Sequence, residues 1–334
     1  MNTFPPAAAP GKRALVIVGM HRSGTSATTG ALRCLGVQLG PKLYSGHADI
    51  NAKGYFEHSD IADANEEALL ALGSAWDDIL LKPAGWWENP LLTTHATRIR
   101  RYIRRDFGRS ALWALKDPRV CRLLPWWLAM LAAEGVKPYF LFVVRDPEAV
   151  YRSLEKRDGF SREKAYLLWS LHYLEAERWS RGHPRTFMDF DAFLDAPLDQ
   201  FNRAEHALDL EFPVAPRNAA PCLEQFLSKD LRHHRGATGE ADDPPAVALG
   251  RDLHRALLAA TSGDSGPDSG ALDGLEARMA ALQAAFPPLL TAHLADLAAH
   301  RGRAQLTLER LVRSWSWYTG KPVRYLERLL GRDV

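Results

Sequence analysis

The chain has 334 residues, 46% of them hydrophobic and 25% charged, with a formal net charge of +2. That length accommodates one large α/β domain or a domain with an appendage, and the composition excludes a disordered or collagen-like chain. So small a net charge argues against a general nucleic-acid binder, while leaving room for a local basic patch that holds a phosphorylated cofactor.

The opening "MNTFPPAAAPGKR" is Pro- and Ala-rich, and residues 1–12 are expected to be a flexible lead-in. It lacks the apolar stretch of a secretion signal, and nowhere do about 18 apolar residues run without charge, so a cytoplasmic protein that does not span a membrane is expected. Cys34, Cys121 and Cys222 stand far apart without a C-x-x-C pair. This predicts neither a disulfide framework nor a zinc site and fits a reducing compartment.

"ALVIV" at 14–18 reads as a buried parallel strand. It runs into "GMHRSGTSATTGALRCLG", where Ala27, Ala31, Leu32 and Leu35 keep helical spacing up to Gly36. "IADANEEALLALG" is predicted to be helical, with Ser59 or Asp60 as N-cap and Glu57 just upstream. Residues 90–107 read as a helix with Ile99, Ile103 and Phe107 inward. "ALWALKDPR" and "PYFLFVVRDP" are predicted strands ending in charged turns, each followed by a helix. A long helix is expected near 161–180, then a strand and turn in "RTFMDFDAFLDAP". The alternation predicts a mostly parallel sheet with helices on both faces.

The first loop is a candidate anion site. Gly19, Gly24 and Ser26 fall where a nucleotide-binding G-x-x-x-x-G-K-[ST] loop would place them, but Thr25 occupies the lysine position. Glycines that let the backbone curl, free N–H groups of the first helical turn and the hydroxyls of Thr25 and Ser26 suit a phosphate-like group. His21 and Arg22 supply basic groups earlier in the loop than a kinase lysine would. A second candidate is "VVRDPEAVYRS", where Arg145 ends a strand and Ser153 follows eight residues later. A guanidinium fork and a hydroxyl converging there suit a second phosphate, and equally a strand-end ion pair with a surface serine.

Together, "GMHRSGTS", "LKDPR" and "VVRDPEAVYRS" resemble the sulfotransferases that use 3′-phosphoadenosine 5′-phosphosulfate (PAPS). The resemblance extends over roughly residues 14–235, including "NAKGYFE", "RDGFSREKAYLLW" and "LRHH", in the style of bacterial members acting on glycans, lipids or small molecules. It implies a P-loop NTPase-like sulfotransferase fold over residues 13–236. By position, Arg22 meets the transferring sulfuryl group, Ser23, Gly24, Thr25 and Ser26 hold the 5′-phosphate, and Arg145 with Ser153 holds the 3′-phosphate. The R-K-G-x-x-G-x-W-K segment of cytosolic members is missing. Arg232 or Arg235 of "DLRHHRG" is the candidate substitute.

Sulfuryl transfer calls for positioned donors, cationic side chains and a base for the acceptor hydroxyl, and no metal is expected. Glu57 is the first candidate base, with His58 and His21 as rivals. Lys116 is placed to stabilise charge on the bridging oxygen, or to belong to an ion-pair turn with Asp117 and Arg119. The implied cofactor is PAPS, leaving as its desulfated product PAP, and the implied partner is a glycan, glycolipid or small-molecule acceptor. The alternatives are a P-loop kinase using ATP and a non-catalytic nucleotide-binding module.

Residues 237–334 read as Gly/Ser/Asp/Pro-rich linkers and a helical, basic C-terminal extension. From Arg301 onward eight Arg and Lys stand against three acidic residues, interleaved with Trp315, Trp317, Tyr318 and Tyr325. Such a tail fits peripheral contact with an anionic membrane surface, a hold on a glycan, or a helix packed on the domain with a solvated basic face.

Overall fold

A computed structural model describes residues 11–44, 54–227, 243–262 and 266–286, with isolated helical residues between 294 and 307. Arg232, Arg235 and the aromatic tail lie outside the described residues. The architecture is α/β. Strands β1 (Lys12–Val18), β2 (Leu112–Lys116), β3 (Val136–Val144) and β4 (Arg185–Asp189) form one sheet in the order β2-β1-β3-β4, with every pairing parallel.

β1 is buried on both faces because its side chains alternate and both sides are apolar. Ala14, Val16 and Val18 enter one core, and Leu15 and Ile17 the other. β3 alternates in phase, sending Phe140, Phe142 and Val144 to the first and Tyr139, Leu141 and Val143 to the second. The first core is covered by α2 (Ser59–Ala71), α4 (Arg119–Ala133) and α6 (Arg162–Ser180), and the second by α1 (Thr25–Leu32), α8 (Pro197–Leu208) and α9 (Pro216–Phe226).

Several local expectations are refined. The segment predicted as one helix over 90–107 is a 3-10 turn, α3 (Thr93–Tyr102) and a π turn (Ile103–Phe107), with Ile99, Ile103 and Phe107 buried as expected. His58, not Ser59 or Asp60, is the N-cap of α2, and no side chain caps that end. The turn after β4 is a short helix, α7 (Phe190–Asp195), capped by the Asp189 carboxylate on the Asp191 N–H. Beyond the boundary expected at 236, α10 (Pro245–Ala260) and α11 (Ser269–Ala284) place Val247, Leu253, Leu257, Leu272 and Met279 in the same core as α6. No helix among the described residues is long and apolar enough to cross a membrane.

The cysteine expectation is corrected. Cys34 and Cys222 form a disulfide, with Cα atoms 5.7 Å apart, and Cys121 remains a buried free thiol. The sequence hides the pair because its members are 188 positions apart; only the packing of α9 beside the end of α1 brings them together. The inference of a reducing compartment rested on unpaired cysteines and lapses with them. A cross-link closing so long a loop restricts the unfolded chain strongly. Cys222→Ser, or reduction with dithiothreitol, is expected to lower unfolding free energy by about 3 kcal/mol in denaturant titrations. Equal stability of the oxidised and reduced protein would contradict the cross-link.

Candidate functional site

The chain order reverses at β1: β2 lies on one side of it, β3 and β4 on the other. Open parallel sheets hold ligands at such a switch point, beyond the carboxyl ends of the strands. The loop after β1 and the turn after β3 are neighbours there. Gly24, φ 87°, is the N-cap of α1 in the left-handed region, and a Cβ there would come within 2.2 Å of the Phe190 ring. Glycine is therefore required on both counts. No side chain caps α1, and its first turn holds no acidic residue, so its leading N–H groups and positive dipole end are arranged for an anion.

The two anion motifs meet directly. Arg22 Nε donates to Ser153 Oγ at 2.7 Å, and Arg145 Nη1 donates to the Arg22 carbonyl at 2.8 Å. Arg22 is one of three non-glycine residues with positive φ among the described residues, at 69°. Holding a side-chain-bearing residue there costs about 1–2 kcal/mol, which the Arg145 and Ser153 contacts offset. Arg145 lies with its guanidinium 4.9 Å from the centre of the Phe190 ring, so one phenyl group orients the arginine and closes the space beside Gly24. The sequence placed Arg145 and Ser153 by motif, but nothing in it marked Phe190.

The other end of the loop carries a buried charge cluster. Lys116 Nζ donates to Glu57 Oε1 at 2.6 Å, to Ser26 Oγ at 3.1 Å and to the Tyr55 carbonyl at 3.0 Å. Arg119 joins it, with Nη1 3.9 Å from Glu57 Oε2 and bonds to Asp117 at 3.0 Å and to Glu66 at 2.6 Å. Burial pushes the Glu57 carboxyl above its ordinary value and Asp117 adds to this, while Lys116 and Arg119 pull against it. The structure thus unites Ser26, Glu57 and Lys116, and adds Arg119 as a principal member. The turn "LKDPR" forms the ion-pair turn that was one of its two readings, and its Lys116 reaches Ser26 of the loop after β1.

His21 lies between these groups, its ring tilted against Trp76 at 4.4 Å. Burial, with the charges of Arg157 and Arg119, holds its imidazole well below the ordinary value, and its buried Nε2 has no hydrogen-bond partner among the described residues. His58, the other rival base, is tied up at 2.9 Å with Asp106. Thr25 is buried, and its carbonyl accepts from Thr29 Oγ1 at 2.7 Å. Ser23 is also fully buried, in the turn closed by its N–H on the Met20 carbonyl. A shallow cavity of about 1050 Å³ lies at the opposite end of the sheet, among Arg13, Arg109 and Glu205. It is remote from all this chemistry.

No family profile and no curated protein sequence matches the chain. Among the solved structures that align with it are the sulfotransferase domain of the Synechococcus PCC 7002 olefin synthase, at 16% identity and TM-score 0.40, covering 86% of this chain and 99% of that domain, and the sulfotransferase domain from the curacin biosynthetic pathway, at 14% identity and TM-score 0.34, covering 90% and 99%. These superpositions are loose, and the chemistry of the site rests on its own geometry.

Behind the loop, α6 contributes a second neutral histidine. His172 Nδ1–H donates to the Leu168 carbonyl at 2.7 Å, and burial lowers its pKa to about 3. The unfolded chain would take this proton near 6.5, whereas the folded chain resists until about 3, so stability falls as pH drops between those values. Between pH 6.5 and pH 5 the loss from this residue is about 2 kcal/mol. Denaturant titrations at both pH values should show a correspondingly smaller loss in His172→Gln; an identical loss would refute the assignment.

Proposed function

We propose that the chain is a PAPS-dependent sulfotransferase that transfers a sulfuryl group to a hydroxyl of a glycan or glycolipid. The observation that carries this reading is the junction of Arg22, Arg145 and Ser153, because it makes one continuous surface from two anion-binding motifs. A donor with a phosphosulfate on one side of its ribose and a phosphate on the other needs such a surface. The donor's groups fit what is present: a glycine-bounded helix end on one side, a guanidinium fork and hydroxyl on the other. A kinase would need a lysine where Thr25 stands.

In this reading Gly24, Thr25 and Ser26 hold the 5′-phosphate through the start of α1, with Ser23 shaping the turn. Arg145 and Ser153 hold the 3′-phosphate, and Arg22, expected from the resemblance at the transferring sulfuryl group, is proposed to join them instead because its Nε donates to Ser153 Oγ at 2.7 Å. Arg232 is proposed as a further contact to it. Lys116, seated on Ser26, then takes the place nearest the transferring end. PAPS supplies an activated sulfuryl group; the protein's part is to position it, neutralise charge and accept the acceptor's proton. A metal is not required, since the cations on the chain and the helix end meet the charge.

Glu57 is the proposed base. Its burial raises its proton affinity, and Lys116 fixes its orientation. As the acceptor oxygen attacks sulfur and the bond from sulfur to the donor's phosphate oxygen breaks, the hydroxyl proton passes to the Glu57 carboxylate. His21, neutral and with a bare Nε2, is the second reading for this step.

PAP is expected to raise the melting temperature of the protein where ATP with Mg²⁺ does not, and Arg145→Ala should abolish the rise. The reverse preference would make the chain a kinase, and indifference to both would make the anion motifs structural. Glu57→Gln should lower kcat by roughly 10²- to 10⁴-fold while PAP binding persists, as loss of a general base does. Turnover at the wild-type rate in that variant, together with loss in His21→Asn, would transfer the role to His21.

A further inference from the structure

The side of α6 away from the loop borders a cleft of about 280 Å³, lined among others by Lys82, Trp86, Trp87, Trp179 and Glu276. The volume lies near the lower end of small-molecule sites, about 300–1,000 Å³, and suits a single ring. The three tryptophans are half-buried. Trp87 meets Trp179 edge to face at 4.8 Å and Trp86 at 6.1 Å, so indole surfaces at steep angles to one another border the cleft. All three pack against the main core, yet unlike the fully buried Trp113, Trp127 and Trp169 they keep part of their surface at the cleft.

Two polar groups in this cleft lack hydrogen bonds among the described residues. The Lys82 side chain is only 6% exposed, and its Nζ makes none. The nearby Glu175 Oε2, 4.0 Å away, already accepts from Arg122 Nε at 2.8 Å. Burial and the Arg122 charge push the Lys82 pKa down to about 8, against Glu175 and Asp78. Glu276 Oε1 is likewise buried without a hydrogen bond, Arg181 standing 3.7 Å off. A buried donor and a buried acceptor left unmade each cost about 1–3 kcal/mol.

The chemistry of a ligand follows from what would satisfy these groups. Lys82, Arg122 and Arg178 are balanced by Glu175, Glu276 and Asp78, so the cleft does not select a full negative charge. A wholly apolar ligand would leave both polar atoms unmade. A ring carrying several hydroxyls accepts from Lys82, donates to Glu276 and lays its C–H face on indole. We infer that this cleft, bordered by Trp86, Trp87 and Trp179 and bearing Lys82 and Glu276, is a carbohydrate-binding site. It is separate from the loop after β1, which α6 approaches through Tyr173, whose hydroxyl lies 3.2 Å from where a Cβ on Gly19 would stand, whereas Leu174 and Glu175 face the cleft. The inference stands whether or not the chain transfers sulfuryl groups.

Saturation-transfer NMR on the full chain with methyl β-D-glucopyranoside, methyl β-D-galactopyranoside and benzoate tests it. At least one glycoside should show saturation of its ring protons, weakened about tenfold or more in Trp179→Ala and Lys82→Met, the scale of one lost hydrogen bond or stacking face. Trp179→Phe should retain binding, and unchanged melting temperatures establish that the variants fold. Absence of any glycoside signal, a signal indifferent to Trp179→Ala and Lys82→Met, or binding of benzoate alone would each overturn the assignment.

Discussion

Buried charge must be paired, and the cluster beneath the anion loop shows what that constraint builds. Lys116 and Arg119 face Glu57, Glu66 and Asp117, all less than a tenth exposed. Breaking a buried pair strands a charge in a medium of low polarity, at about 3–5 kcal/mol. The network therefore fixes where its elements sit. Lys116 ends β2, Arg119 begins α4, Glu66 lies within α2, and Glu57 leads into it. Asn65 extends the frame, donating to Asp117 at 2.9 Å while accepting from Trp127 Nε1 at 2.9 Å. With this frame in place, the start of α1 is held through Ser26 against the Lys116 ammonium at 3.1 Å.

The same constraint bears on the protonation of the carboxyls. Within the network two cations face three carboxylates, so full ionisation would leave an unbalanced negative charge in the interior. Burial raises the proton affinity of Glu57 and the Asp117 charge adds to it, while Lys116 and Arg119 pull against it. A carboxylate near uncharged balance, oriented by a lysine, can take a proton during a reaction without a large penalty. His21 stays neutral for a complementary reason: cations surround it and water does not reach its Nε2.

The fold was legible because strand, loop and helix signals agreed at each step. β1 and β3 are apolar on both faces, and only a central parallel strand demands that. That the loop after β1 and the turn after β3 lie together was legible from residue types at fixed spacing, since backbone geometry at a strand end depends on few residues. Phe190, the reach of Arg119 to Glu57 and Glu66, and the Trp87–Trp179 pair were not, because they depend on which distant elements meet; only the pairing of Arg119 with Asp117 was expected. The disulfide is the extreme case: Cys34 and Cys222 carry no local signal, and only tertiary packing pairs them. Likewise, one helix was read across 90–107 because its apolar spacing is helical throughout, and the 3-10 and π turns at its two ends leave Ile99, Ile103 and Phe107 buried without announcing themselves in that spacing.

α6 explains why so much of the chemistry is rigid. It is buried along nearly its whole length, with Tyr166, Trp169 and Tyr173 fully enclosed. Tyr173 lies 3.2 Å from where a Cβ on Gly19 would stand, so the helix limits the loop from behind. Its next residues border the tryptophan cleft. Moving α6 would disturb both surfaces at once, and the packing of α4, α5 (Pro147–Asp158), α10 and α11 around it opposes any such movement. Arg22 can then be held in an unfavourable backbone conformation, because the elements carrying its partners Arg145 and Ser153 have no freedom to withdraw.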